Sequence, residues 1–250
     1  MDARRDAPVD AAVNAPVDPH AWAAWIDAAH REGRLLDAPE HDLDLTAAYA
    51  VQDRLTARRE ARGARRIGWK LGYTSAVMRE QMGVDTPNLG PLLDTMVVEP
   101  GGAVPPTLVQ PRVEPEIGLV VGADGGPAEA RAVLEVVDSV WRDYRFTLAT
   151  NTADGSSAAG VVVGPVLDGD LAALTVELRR GDDLEATGRG DAAMGHPHHA
   201  LDWLRGAIGG ALRPGDLVIT GGLTRAVPLG PGEVVEARFP GATVAVQGAR

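Results

Sequence analysis

The 250-residue chain contains no cysteine. That removes a disulfide framework and any thiolate metal site, and it leaves secretion without positive support. Lysine is nearly absent as well: Lys70 is the only one among 24 basic residues, which face 35 acidic ones for a formal charge of −11. An acidic balance with no basic run excludes nucleic acid and anionic membranes as main partners. No apolar run approaches the roughly 18–20 residues of a spanning helix. The first twenty residues lack the apolar block of a signal peptide and read as a polar, Ala/Pro/Asp-rich stretch. The expectation is a cytoplasmic globular protein of one large or two small domains, burying roughly 70–75% of its unfolded surface.

What is present organises the chain into three parts. Residues 1–20, polar and punctuated by proline, are expected as a disordered or loosely held tail. Residues 21–63 read as an N-terminal helical segment. Trp22, Trp25, Ile26 and Ala29 recur at helical spacing, and a second helix begins near Thr46 with Asp44 or Thr46 as its cap. That helix ends on Arg58, Arg59 and Arg62 before Gly63. Residues 64–250 read as a mainly β domain. Its β-prone segments are 67–73, 96–98, 113–122, 159–163, 175–179, 217–220, 234–239 and 243–246, and helical stretches are expected at 75–82, 128–137 and 198–208. Strands and helices do not alternate regularly, so the class is α+β rather than doubly wound α/β.

Lys70 lies between Trp69 and Leu71 in an apolar strand. A chain that uses arginine for every other cation points here to a site needing a compact ammonium rather than a rigid fork. In the segment PRVEPEI (111–117), Glu114 and Glu116 are two residues apart and share one face of a strand. Glu135 sits among Val133, Leu134, Val136 and Val137. Carboxylates in such surroundings are costly unless compensated, and a divalent cation resolves the conflict. Oxygen-only ligation points to Mg²⁺ or Mn²⁺ rather than zinc. His196, His198 and His199 fit no zinc spacing and read as a loop leading into a helix capped near His196. The stretch GSSAAG (155–160) misses the nucleophile-elbow spacing, because Ala159 stands where glycine is required. The run TGGLT (220–224) offers free backbone amides for a carboxylate, or is an ordinary turn.

The strings AAYAVQ (47–52), KLGYTS (70–75), QMGV (81–84), PRVEPEI (111–117), LEVVDS (134–139), TAD (152–154), GHP (195–197) and TGGLT (220–224) run in one order over most of the chain. As a set they resemble the fumarylacetoacetate hydrolase superfamily, in the branch of 2-oxopent-4-enoate hydratases and 2-oxo-3-hexenedioate (4-oxalocrotonate) decarboxylases. The resemblance implies a mixed β-roll catalytic domain behind N-terminal helices, working as a homo-oligomer in aromatic catabolism, with a sister hydratase or decarboxylase as a further partner. It implies Glu114, Glu116 and Glu135 as ligands of Mg²⁺ or Mn²⁺, and Lys70 and Asn88 at catalytic positions. Leu71, Thr74, Ser75, Gly222, Leu223 and Thr224 would bind the substrate, an unsaturated 2-oxo acid. In such enzymes the metal chelates the C1 carboxylate and the 2-keto oxygen, and the polarised oxygen stabilises a dienolate. Three carboxylates on a dication leave one negative charge, which Lys70 offsets.

Both a loss of CO2 and a hydration run through that electron sink. Asn88 stands where hydratases of the branch carry aspartate, and it cannot act as a carboxylate base. Trp141, Tyr144, Arg145 and Phe146 after Ser139 are decarboxylase-like, whereas GRG (188–190) and Trp203-Leu204 are hydratase-like. Decarboxylation is narrowly favoured. The interval from Glu116 to Glu135 is short for the family, as though a helix beside the site were trimmed, and the loop ADGSSA (153–158) departs from the family's ADNASS. Acylpyruvate hydrolysis would need a His–Glu pair to activate water, and none is evident. An inactive metal-binding partner subunit is the non-catalytic alternative.

Overall fold

The computed structural model describes residues 17–39, 43–76, 79–80, 83–210 and 212–250. Residues 1–16 of the expected tail lie outside the described residues, as does part of the helix expected at 75–82. Pro19–Glu32 forms helix α1. Asp18 caps it by accepting from the His20 amide at 2.9 Å, and Pro19 takes a first-turn position where no amide is needed. Residues 19 and 20 thus belong to a helix rather than to a tail. Helix α2, Leu45–Glu60, takes Asp44 rather than Thr46 as its cap, with the Ala47 amide at 2.7 Å.

The two helices pack around a small core of their own. Trp22, Ile26 and Ala29 meet Ala48, Val51 and Leu55, with Trp141 from the β domain closing the cluster. Trp25 stands edge-on to Trp22 and to Trp141, with centroids 5.9 and 5.6 Å apart. Asp27, buried on α1, is held by both arms of Arg62 at 2.6 and 2.9 Å. The arginine-rich end of α2 therefore serves the neighbouring helix as well as its own dipole.

The β domain is built from two sheets. Strands β1 (Arg66–Gly72), β2 (Asn88–Leu93), β3 (Arg112–Val121), β4 (Pro127–Val137), β5 (Ala158–Leu167), β8 (Leu217–Ile219) and β9 (Val227–Pro228) form the larger one. Its order is β2-β1-β8-β3-β4-β5, with β9 pairing to β3 and with β1–β8 as a parallel pair. Strands β6 (Thr175–Arg180), β7 (Asp183–Arg189), β10 (Val234–Phe239) and β11 (Ala242–Gln247) form an antiparallel sheet ordered β11-β10-β6-β7. Val113, Ile117 and Leu134 of the first sheet share one core with Val176, Leu178, Val235 and Val244 of the second. Helix α3 (Leu148–Ala153) packs on α2, and α4 (Pro197–Ile208) lies on the outside with Leu201 and Leu204 inward. The mixed α+β roll behind an N-terminal helical pair is the expected class.

Two expected elements do not form as read, and β2, β7, β9 and α3 lie where no element was expected. Residues 128–137, expected as a helix, belong to β4, paired along its length with β3 through a turn in which the Gly122 amide meets the Gly126 carbonyl at 2.7 Å. Ala, Leu and Glu favour helix, and eleven residues are long enough for one. The ladder to β3 overrides that weak local preference, and Val133, Val136 and Val137 fit the pleat. The short interval between Glu116 and Glu135 is accordingly a hairpin with no helix in it. Residues 96–98 form no strand: a 3₁₀ turn, Asp94–Met96, leads into a single bridge from Val97 to Val161. Strand β2 was hidden by Gly90 and Pro91. It is an edge strand, where a proline costs the ladder nothing.

Candidate metal centre and substrate cavity

The hairpin explains how acids distant in sequence meet. Glu114 and Glu116 share a face of β3, and Glu114 stands directly opposite Glu135 on β4. Carboxylate oxygens of the three glutamates lie within 4.8 Å of one another. Glu116 and Glu135 are 0% and 1% exposed. One oxygen of Glu116 accepts the Gly221 amide at 2.7 Å, whereas Glu116 Oε1 and Glu135 Oε2 are buried without a hydrogen-bond donor.

Burial first, and then repulsion from Glu135, pushes Glu114 up to about 7; the same causes, with Glu114 added, hold Glu116 well above the usual carboxylate range. Lys70 and Arg112 offset this only in part, and the donor set is all oxygen. Three convergent carboxylates, with buried oxygens that lack a donor, are a donor set that would suit a divalent cation taking oxygen ligands. Among the described residues, no other group of three His, Asp or Glu side chains converges in this way.

Lys70 enters from β1. Its Nζ lies 3.1 Å from Glu135 Oε1 and donates to the Ser156 carbonyl at 2.9 Å. Burial works against the ammonium, but Glu135, Glu114 and Glu116 together outweigh it and raise the Lys70 pKa above that of a free lysine. Lys70 thus places its amino group directly beside the three acids.

A cavity of about 750 Å³ opens onto Glu114 and Lys70. Leu71, Thr74, Ser75, Gly222, Leu223 and Thr224, all expected at a substrate site, line it. The segment after β8 must pass close to Glu114 and Thr74. A Cβ on Gly222 would stand 2.2 Å from Glu114 Oε2, and one on Gly221, at φ +99°, would stand 2.0 Å from Thr74 Oγ1. Tyr73 also lines the cavity, and burial pushes its phenol up to about 12.

Asn88 is placed differently. It is fully buried behind the cavity wall: its amide nitrogen donates to Asn151 and Thr152, both at 3.0 Å, and its oxygen accepts from Ser156 Oγ at 2.9 Å. With every polar atom engaged, it positions Ser156 and Asn151, which do line the cavity. His196 caps α4, accepting from the His198 amide at 3.1 Å, as the loop reading expected.

Sequence reasoning missed Arg112. It lies on the same face of β3 as Glu114 and Glu116, lines the cavity, and holds its guanidinium 4.2 Å above the Tyr144 ring. Among the described residues it makes no ion pair within 4 Å. The signal was available two residues before Glu114, but one arginine among many gave no reason to stop there.

The fumarylacetoacetate (FAA) hydrolase C-terminal family model matches residues 70–247. The chain belongs to this family. It is 34% identical over 247 residues to 2-keto-4-pentenoate hydratase 2 of Dechloromonas aromatica (strain RCB), covering 89% of this chain and 94% of the relative. It is also 34% identical over 220 residues to 4-oxalocrotonate decarboxylase of Pseudomonas sp. (strain CF600), covering 80% and 83%. The structure of 4-oxalocrotonate decarboxylase from Pseudomonas putida G7, complexed with magnesium and adipate, superposes with a TM-score of 0.86 at 28% identity, covering 94% of this chain and 100% of that one. The family relatives are lyases of two kinds, hydratase and decarboxylase, and this chain is a metal-dependent lyase of that group. No helix among the described residues is long and apolar enough to cross a membrane.

Proposed function

We propose that the protein decarboxylates a 2-oxo-3-hexenedioate-type dicarboxylate, with Mg²⁺ or Mn²⁺ held by Glu114, Glu116 and Glu135. The observation that carries the choice is Arg112, a guanidinium that lines the cavity and, among the described residues, makes no ion pair within 4 Å. Residues two apart on a strand are separated by roughly 6.6 Å, and an extended hexenedioate is about that long. One end of the substrate then meets the cage while the other reaches the arginine fork. Asn88, with no carboxylate and no free polar atom, supports the same choice over hydration.

When bound, the divalent ion supplies the Lewis acidity that polarises the 2-keto oxygen and favours negative charge developing there. The residues of the chain do the rest. Arg112 orients the distal carboxylate, and Val137, Tyr144 and Phe146 give the cavity an apolar flank that keeps water from the reacting bond. The C5–C6 bond breaks, CO2 leaves, and the electron pair moves through the C3–C4 double bond towards the keto oxygen. Lys70, held 3.1 Å from Glu135, offsets the added negative charge without reorganising. Tyr73, kept as a neutral phenol, offers a hydrogen bond from the wall. On its composition we place the enzyme in the cytoplasm, and, as the family resemblance implies, as a homo-oligomer.

The test is incubation with Mn²⁺ and 2-oxo-3-hexenedioate, following CO2 and the loss of the conjugated chromophore. CO2 release that falls with a raised KM in Arg112→Leu supports the reading. Water addition to 2-oxopent-4-enoate without CO2 from the dicarboxylate would move the assignment to hydratase.

A further inference from the structure

Asp154 is a further fully buried carboxylate, separate from the cage. Its Oδ2 accepts from Ser139 Oγ at 3.1 Å and from the Val140 amide at 3.3 Å. Its Oδ1 meets His30 Nε2 at 2.6 Å. An ionised carboxylate with no water needs donors or a cation, and here the short contact comes from the last turn of α1, 124 residues earlier in the chain. Arg59 on α2 adds a positive charge at longer range.

The turn that follows Asp154 is unusual. Gly155, Ser156 and Ser157 have φ of 82°, 57° and 55°, and the left-handed region is one that serines rarely adopt. Such backbone persists only where its surroundings over-determine it. The geometry has a use: it turns the Ser156 carbonyl to Lys70 Nζ and the Ser157 carbonyl to the Asp138 amide, both at 2.9 Å.

We propose that His30 is a positioning residue: by clamping Asp154 it holds the left-handed 155–157 turn that aims the Ser156 carbonyl at Lys70, so the N-terminal helix sets where the ammonium stands. The effect on placement rests on geometry alone, and the effect on turnover rests on the lyase reading above.

Because Lys70 is the only lysine, protein labelled with ¹⁵N-lysine carries a single side-chain ammonium signal, readable without substrate. The comparison is wild type, His30→Leu and His30→Gln, each full length and loaded with Mg²⁺. Glutamine keeps an N–H at about the reach of Nε2. In wild type and His30→Gln the signal should be sharp and at one position; in His30→Leu it should shift or broaden, with kcat about tenfold lower, KM within twofold and Mn²⁺ affinity unchanged. Restoration of kcat to within threefold by glutamine separates positioning from bulk packing. An unshifted signal in folded His30→Leu, or equal losses in the Leu and Gln variants, overturns the proposal. Should His30→Leu not fold, His30→Gln is compared with His30→Asn, whose shorter arm falls short of Asp154; identical signals from those two overturn it. If no variant, wild type included, turns over substrate, the lyase reading fails while the ammonium signal still decides the role of His30.

Discussion

Replacing Lys70 by methionine removes the one cation built into the cage while keeping its apolar stem. At 3.1 Å from Glu135, the Coulomb attraction is about 5 kcal/mol at an effective dielectric constant near 20. Part of that is cancelled by desolvation of the ammonium, and deleting one partner of a buried pair typically costs about 3–5 kcal/mol. For a chain of this size that is a fall of roughly 6–20 °C in the Tm of the metal-free protein. Divalent metal should recover much of it, because a dication compensates the same carboxylates. The ammonium and the metal also compete for Glu135 and repel one another, so the variant should bind Mn²⁺ at least as tightly as wild type. Turnover should nevertheless fall by about 10²–10³, the loss expected when a fixed group facing developing negative charge is removed. Calorimetry with and without chelator, Mn²⁺ titration by electron paramagnetic resonance, and steady-state kinetics read the three effects. Turnover within tenfold of wild type, or Mn²⁺ binding weakened more than tenfold, would refute the charge argument.

Other expectations follow from the same geometry. Glu114 is raised to about 7, so the metal-free fold binds more protons than the unfolded chain above pH 4.5; its stability should fall as pH rises from there to about 7, and saturating Mg²⁺ should flatten the curve, as Tm against pH with and without chelator will show. Gly222→Ala places a methyl 2.2 Å from Glu114 Oε2 and should weaken Mn²⁺ binding about 10–100-fold with little change in the urea midpoint. Asn88→Asp removes the donor to Asn151 and Thr152 and should cost about 1–3 kcal/mol by urea unfolding, without creating hydratase activity.

How much of this was legible depended on distance along the chain. Lys70 stood out because arginine replaces lysine everywhere else, and Glu114 with Glu116 were visible as a same-face pair. Glu135 was noticed as an acid in apolar company, but its place opposite Glu114 was obscured while 128–137 looked helical, since Ala, Leu and Glu carry no strand signature of their own. Asn88 drew attention as an unexpected residue type; only the fold reveals that its amide is fully engaged. His30 and Asp154 have no local pattern at all. Their meeting depends on how α1 docks against Trp141 and α3, which is a property of tertiary packing.

The hairpin that carries all three glutamates of the proposed metal cage has an architectural consequence. Its tip, at residues 122–126, is six strand residues beyond Glu116, roughly 20 Å away, and the ladder between them, with one register shift at Val120/Val121, separates the carboxylates from what happens there. Extra residues at the tip leave the register intact, whereas one inserted inside either strand would turn the acids to the opposite side. The tip is therefore a place where a lineage, or an engineer, can lengthen the chain to recruit new neighbours without touching the chemistry.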